Sequence, residues 1–160
     1  MLSKLFGKRK LHIYAPMHGE IVSLDQVPDP VFSEKMLGEG LAIVPIDGHV
    51  YAPIDGTVIF VAETKHAIGI RAKDGTELLI HIGLETVSLN GQGFTVLVKE
   101  EDRISMGQIL IKVDWHFVRE NAKSIITPIL ITNSKERQIQ YQGSKEGIVG
   151  ETLLMIVIAK

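Results

Sequence analysis

The chain has 160 residues, a formal net charge of −2, 45% apolar and 22% charged residues, and no cysteine. That balance fits one soluble domain with a substantial core, rules out disulfide and cysteine chemistry, and contains no run near the roughly 20 apolar residues of a membrane span. Four basic residues, Lys4, Lys8, Arg9 and Lys10, crowd the first twelve positions without an acid, which leaves an acidic body poorly suited to nucleic acid.

Residues 1–12 read as a mobile basic tail, with Leu2, Leu5 and Phe6 able to make transient contact with an anionic membrane. The opening MLSKLFGKRK has no long apolar stretch or cleavage site, so it is not a secretory signal and the expected location is cytoplasmic. Residues 13–160 are expected to form a single domain. From Ile13 onward, short Ile-, Val- and Leu-rich runs such as GLAIVPI, ELLIHIG and TLLMIVIA alternate with Gly, Pro or Asp. The pattern predicts an all-β antiparallel sandwich or barrel with one or two short helices. The helix with the clearest signal spans Asp114 to Lys123: Asp114 caps it, and Trp115, Val118 and Ala122 follow helical spacing. Ala15-Pro16-Met17-His18-Gly19 and Ala52-Pro53-Ile54-Asp55-Gly56 each precede an apolar strand and predict duplicated β-units. Gly38-Glu39-Gly40 and Gly91-Gln92-Gly93 lack the following helix of a phosphate loop and are read as positive-φ turns.

The stretch from Thr64 to Phe94 carries the chemistry. Asp74-Gly75 signals a two-residue type I′ hairpin, with Lys73 facing Thr76, Ile68 facing His81 and His66 facing Gly83. In that register Thr64, His66 and Ile68 share a face with Leu79, His81 and Gly83, and the two histidines are diagonal neighbours roughly 7 to 8 Å apart. A slip of one residue would send one histidine to the other face.

Three chemistries fit such a pair. A neutral imidazole near pH 7 is a nucleophile toward phosphorus. His81 would attack, His66 would donate a hydrogen bond to the phosphoryl oxygens, and Thr64 would hold the other nitrogen of His66; symmetry permits the reverse assignment of the histidines. Alternatively, His66 and His81 are zinc ligands of a β-rich hydrolase that draws a third ligand from Glu85 or Asp55. Lastly, APMHGEIVSL resembles the opening of biotinyl and lipoyl domains, with Lys65 as the nearest carrier lysine, although the flanking methionine or acidic neighbour is missing.

The runs TKHAIGI and GTELLIHIGLETVSLNGQGF, with PMHGEIVSLDQVPDPVFSEKMLGEGLAIVP, APIDGTV and GSKEGIVGETL, closely resemble the glucose-type enzyme IIA of the bacterial phosphoenolpyruvate-dependent sugar phosphotransferase system. The resemblance implies an antiparallel β-sandwich and a phosphohistidine at His81, formed through Nε2. His66 would contact the phosphoryl group and Thr64 would be bonded to His66. It implies phospho-HPr as donor and a cysteine on a IIB domain of a sugar permease as acceptor, with regulatory binding to other proteins. No cofactor is required, although a Zn²⁺ bridging His66 and His81 is compatible with the pair. Many members read Asp-Thr-Val where this chain has Glu85-Thr86-Val87, which bears on partner preference. Because both neighbours must reach one phosphoryl group, the site should be shallow with an apolar surround; Ile68, Leu79 and Val87, with Glu85, are the expected partner surface.

Overall fold

The computed structural model describes residues 9–160. In chain order its strands are β1 (Lys10–Tyr14), β2 (His18–Ser23), β3 (Glu39–Asp47), β4 (Val50–Tyr51), β5 (Gly56–Val61), β6 (Ala67–Arg71), β7 (Glu77–His81), β8 (Phe94–Val96), β9 (Arg103–Ile104), β10 (Ile109–Val113), β11 (Thr127–Ile131), β12 (Arg137–Tyr141), β13 (Glu146–Gly147) and β14 (Leu153–Ala159). Among the described residues two α-helices accompany them, α1 (Pro30–Ser33) and α2 (Trp115–Asn121). Every strand pairing is antiparallel, as the all-β reading expects. An eight-stranded sheet runs β13-β2-β3-β11-β7-β6-β5-β9, and two three-stranded sheets run β1-β14-β12 and β4-β10-β8.

β1 begins at Lys10, so residues 10–12 belong to the folded body rather than to a tail; Lys10, Leu11 and His12 pair with Ile158, Val157 and Ile156 of β14. Of the rest of the expected tail, Arg9 is exposed ahead of β1 and residues 1–8 lie outside the described residues. No helix among the described residues is long and apolar enough to cross a membrane.

The expected duplication has a physical expression. Tyr14 N donates to Pro53 O at 3.0 Å and Tyr51 N donates to Pro16 O at 2.8 Å, a reciprocal exchange between the two Ala-Pro turns. Two residues after each proline, His18 Nδ1 accepts from Val149 N at 3.3 Å and Asp55 Oδ1 from Met106 N at 2.8 Å. The eight-stranded sheet shares this symmetry, its halves meeting where β11 pairs with β7.

Alternation along β7 and β11 divides the core. Leu78, Ile80, Ile129 and Ile131 enter the main cluster, which Ile13, Ile43, Ile68, Ile70 and Met155 also fill. Leu130 points to the other face. There it joins Leu24, Val27, Phe32, Ala42, Leu84 and Ile126 in a smaller cluster, with Leu79 packed against it. That second face is covered by the connection from β2 to β3, and α1 starts there because Asp29 Oδ1 accepts from Val31 N at 3.0 Å with Pro30 opening the helix. Asp114 caps α2 by accepting from Phe117 N at 3.1 Å, and Trp115 and Val118 are buried. α2 stops at Asn121, two residues before the expected end, because Ala122 is extended.

Two local expectations change. The β6–β7 turn is not a two-residue type I′ turn. Ala72 N donates to Thr76 O and Gly75 N to Ala72 O, which closes a three-residue loop in which Gly75 has φ 92 and Asp74 does not appear among the positive-φ residues. Asp74 instead accepts from Thr76 N at 2.9 Å, as in a type I turn followed by a glycine bulge. Ala67 therefore faces His81 and Ile68 faces Ile80, one residue away from the expected register. Of the two glycine pairs, Gly38, Gly91 and Gly93 do have positive φ, but Gly40 lies within β3. It is needed there for close approach, since a Cβ would drive into the Ile129 carbonyl oxygen. Gly40→Ala is therefore expected to lose about 3 kcal/mol of stability as β3 and β11 are forced apart; urea unfolding within 1 kcal/mol of the parent would contradict this packing.

Candidate active site

The site forms where β7 ends. His81 is its last residue, on the face of Leu79 and the smaller core, while Leu78 and Ile80 point into the main core. The chain then reverses at Gly83, φ 72, and brings the Gly83 carbonyl back to His81 Nδ1 at 2.8 Å. A carbonyl only accepts, so Nδ1 carries the proton and Nε2 of the neutral ring is left with its lone pair. The reversal is held on both sides: Thr86 Oγ1 donates to Ile82 O at 2.7 Å, and Leu84 N donates to Ser124 O at 2.9 Å. A Cβ on Gly83 would lie 2.8 Å from both Ser124 O and Thr86 Cγ2, so only glycine fits.

His66 arrives from the turn between β5 and β6. Lys65 adopts a left-handed φ of 63, its N–H donates to Ala62 O at 2.8 Å, and Ala62 N donates to Ala67 O at 3.0 Å. With Ala67 opposite His81, strict alternation would place residue 66 on the other face. His66 precedes β6, however, in the turn where left-handed Lys65 interrupts the alternation. The rings meet at a centroid distance of 4.8 Å and an interplanar angle of 76°. Thr64 Oγ1 lies 2.8 Å from His66 Nδ1.

Phe32 of α1 closes the other side of the pair, its ring centroid 5.0 Å from that of His81. Sequence reasoning missed this contact, as it missed Asp29, which caps α1 and acts electrostatically on His81. The Asp29-Pro30 dipeptide was a readable helix start; nothing local in the sequence marks where that helix lands.

The expected partner surface is split. Ile68 is fully buried in the main core and takes no part in a rim, because the one-residue change of register moves it to the other face. Leu79 is partly buried on the histidine side of the sheet, Val87 is 57% exposed, and Glu85 is exposed with a left-handed φ of 57. Val31, beside Phe32 in α1, and Met36 in the next turn are also exposed. Asp55, considered as a third metal ligand, is held by Met106 N in its own turn. No group of three or more His, Asp or Glu capable of holding a metal stands together among the described residues.

Burial is the main cause that lowers the His81 pKa from 6.5 to about 4; the neighbouring His66 lowers it further, while the Gly83 carbonyl and Asp29 oppose the shift. Burial also lowers the His66 pKa. Both rings are therefore neutral at pH 7. Because the folded His81 binds its proton less readily than the unfolded one, the unfolded state takes up protons first as the pH falls. Stability should be intact above about pH 6.5 and fall toward about pH 4, by at most about 1.4 kcal/mol per pH unit for this group. Thermal melts of His81→Gln should show a shallower loss over that window; the same slope as the parent would exclude His81 as its source.

The comparisons agree with this architecture. The family "phosphoenolpyruvate-dependent sugar phosphotransferase system, EIIA 1" matches residues 11–137. A glucose-specific EIIA component of Staphylococcus epidermidis is 48% identical, with 98% of each chain covered. A glucose-specific EIICBA component of Staphylococcus carnosus is 52% identical over 90% of this chain, which spans 21% of that longer protein. The solved glucose permease IIA from Mycoplasma capricolum superposes with a TM-score of 0.87 at 38% identity, covering 94% of this chain and 97% of that one. The zinc-hydrolase alternative finds no support in them, and the chain belongs to the EIIA 1 family of the phosphoenolpyruvate-dependent sugar phosphotransferase system as one of its phosphocarriers.

Proposed function

We propose that His81 is the residue that carries the phosphoryl group. The observation behind this reading is the 2.8 Å bond from Nδ1 to the Gly83 carbonyl, which fixes the tautomer and leaves Nε2 as the basic nitrogen. With its pKa lowered to about 4, the ring keeps its lone pair across the physiological range. Nε2 attacks phosphorus, the bond from phosphorus to the donor's histidine nitrogen breaks, and the Nδ1 proton stays on Nδ1, hydrogen-bonded to the Gly83 carbonyl. In the onward step the new nitrogen–phosphorus bond breaks as a cysteine sulfur of the acceptor bonds to phosphorus.

His66 is the phosphoryl-binding partner. If the Thr64 hydroxyl donates to Nδ1 of His66, the Nε2 proton of that ring points at the incoming oxygens; phosphoryl transfer asks mainly for such positioning and charge stabilisation. HPr is the proposed donor and the IIB domain of a separate glucose-type permease the proposed acceptor. The EIICBA relatives support this pairing, since their name places the A part in one chain with B and C parts. Leu79, Val87, Val31 and Met36 provide an apolar surround that both partners can share, and Glu85 adds a charge at its edge.

Incubation with phosphoenolpyruvate, enzyme I and HPr should place an acid-labile, base-stable phosphate on His81, located by mass spectrometry. His81→Ala should abolish labelling, while His66→Gln should still be labelled but pass the group on poorly. Labelling of His81→Ala at the parent rate would overturn the assignment. Leu79→Asp should slow transfer from HPr by about tenfold, the scale of one interface anchor, with the fold retained; a rate unchanged from the parent, or a variant that unfolds, would remove Leu79 from the docking surface.

A further inference from the structure

A cavity of about 350 Å³ opens where the β2–β3 side of the large sheet meets β12 and β14, and its lining includes neither active-site histidine. Ile21, Leu24, Leu41 and Leu154 form an apolar floor. Ile21, Leu41 and Leu154 pack in the main core and Leu24 in the smaller one, so the cavity lies at the seam between the two clusters. Its volume is at the lower end of the range typical of small-molecule sites.

The rim is polar and biased toward cations. Lys35 and Lys145 line it against one carboxylate, Asp25, in a chain whose net charge is negative. Lys35 lies 3.3 Å from Glu39, whereas Lys145 has no carboxylate within ion-pair distance among the described residues. Ser144 and Tyr141 add hydroxyls. The Tyr141 hydroxyl is protonated at neutral pH, as any tyrosine's is, and burial with the nearby Glu39 raises its pKa further, to about 12. An apolar floor, several donors and an unpaired ammonium match a ligand with an aliphatic body and one carboxylate.

We propose that this cavity is a binding site for a small aliphatic carboxylate, whose chain lies on Ile21, Leu24, Leu41 and Leu154 while its carboxylate meets Lys145. The site is separate from phosphotransfer but connected to it, because Leu24 packs in the same cluster as Phe32, whose ring lies against His81.

Octanoate titrated into the ¹⁵N-labelled full chain tests this proposal. Saturable shifts are expected at the backbone amides of Ser23, Gly40, Gly143 and Lys145, with at least about fivefold weaker binding of 1-octanol and octylamine, the scale of one exposed ion pair. Lys145→Glu should weaken octanoate by a similar factor, and Ser144→Trp should block the cavity outright; both positions are exposed, so both variants should fold. Absence of saturable shifts, shifts confined to other surfaces, equal binding of octylamine, or unchanged affinity in both variants would each overturn the proposal.

Discussion

The hydrogen bond from His81 Nδ1 to the Gly83 carbonyl is the constraint on which the site depends. A histidine offers two nitrogens, and a nucleophile must have one of them reliably free of its proton. Donation to a backbone carbonyl two residues later achieves this without a charged partner, but the chain must turn back at once. That turn needs φ 72 at Gly83 and leaves no room for a Cβ between Ser124 and Thr86. The loop is then tied down by Thr86 to Ile82 and by Leu84 to Ser124, so the carbonyl is presented by fixed backbone rather than by a mobile side chain.

The two faces of the large sheet divide the work. The main core supplies most of the buried apolar surface, and Ile68 of β6, Ile80 of β7 and Ile82 just beyond β7 contribute to it. The smaller core does less for stability and more for the site: Leu130, Leu84 and Leu24 support Phe32, and Phe32 shields His81 from water. That shielding lowers the ring's pKa, with the second histidine adding to the effect. In the proposed role of His81, burial of a nucleophile and exposure to two partners are opposing demands. The ring is covered on one side by Phe32, and the proposed approach runs past the half-buried Leu79 and the exposed Val87.

Sequence patterning was enough to identify the β-rich fold, the capped helix at Asp114, the paired Ala-Pro turns and the hairpin that ends on His81. It misjudged the register because Asp-Gly suits two turns equally well. In a type I′ turn both residues need positive φ; in a type I turn with a glycine bulge only the glycine does, and the Asp side chain instead caps Thr76 N. The choice between them shifts every facing pair by one, which is why Ile68 went from the expected rim into the core. The histidines still meet because His66 lies outside the strand, in a turn set by left-handed Lys65, where period-two reasoning does not hold. Phe32 was unreadable for a different reason: its contact with His81 depends on where a four-residue helix is carried by the loop before it, which is a tertiary matter.

The duplicated architecture shows how one site arises from two similar halves. The symmetry axis of the large sheet passes through the Ile129–Ile80 pair, so His81 corresponds to Leu130 on the same face, and each half repeats a strand, a connection and a second strand. The connections are what differ. From β2 to β3 the chain takes the long route through Leu24, Val27 and Phe32, which buries Leu130 and then reaches His81. From β5 to β6 it takes a tight turn that delivers Thr64 and His66. A cover from one half and a second imidazole from the other therefore converge on a single ring. The corresponding position in β11 has no tight turn beside it and is filled by a leucine. Duplication of the strands provides the rigid sheet, and the unequal lengths of two equivalent connections confine the chemistry to one place.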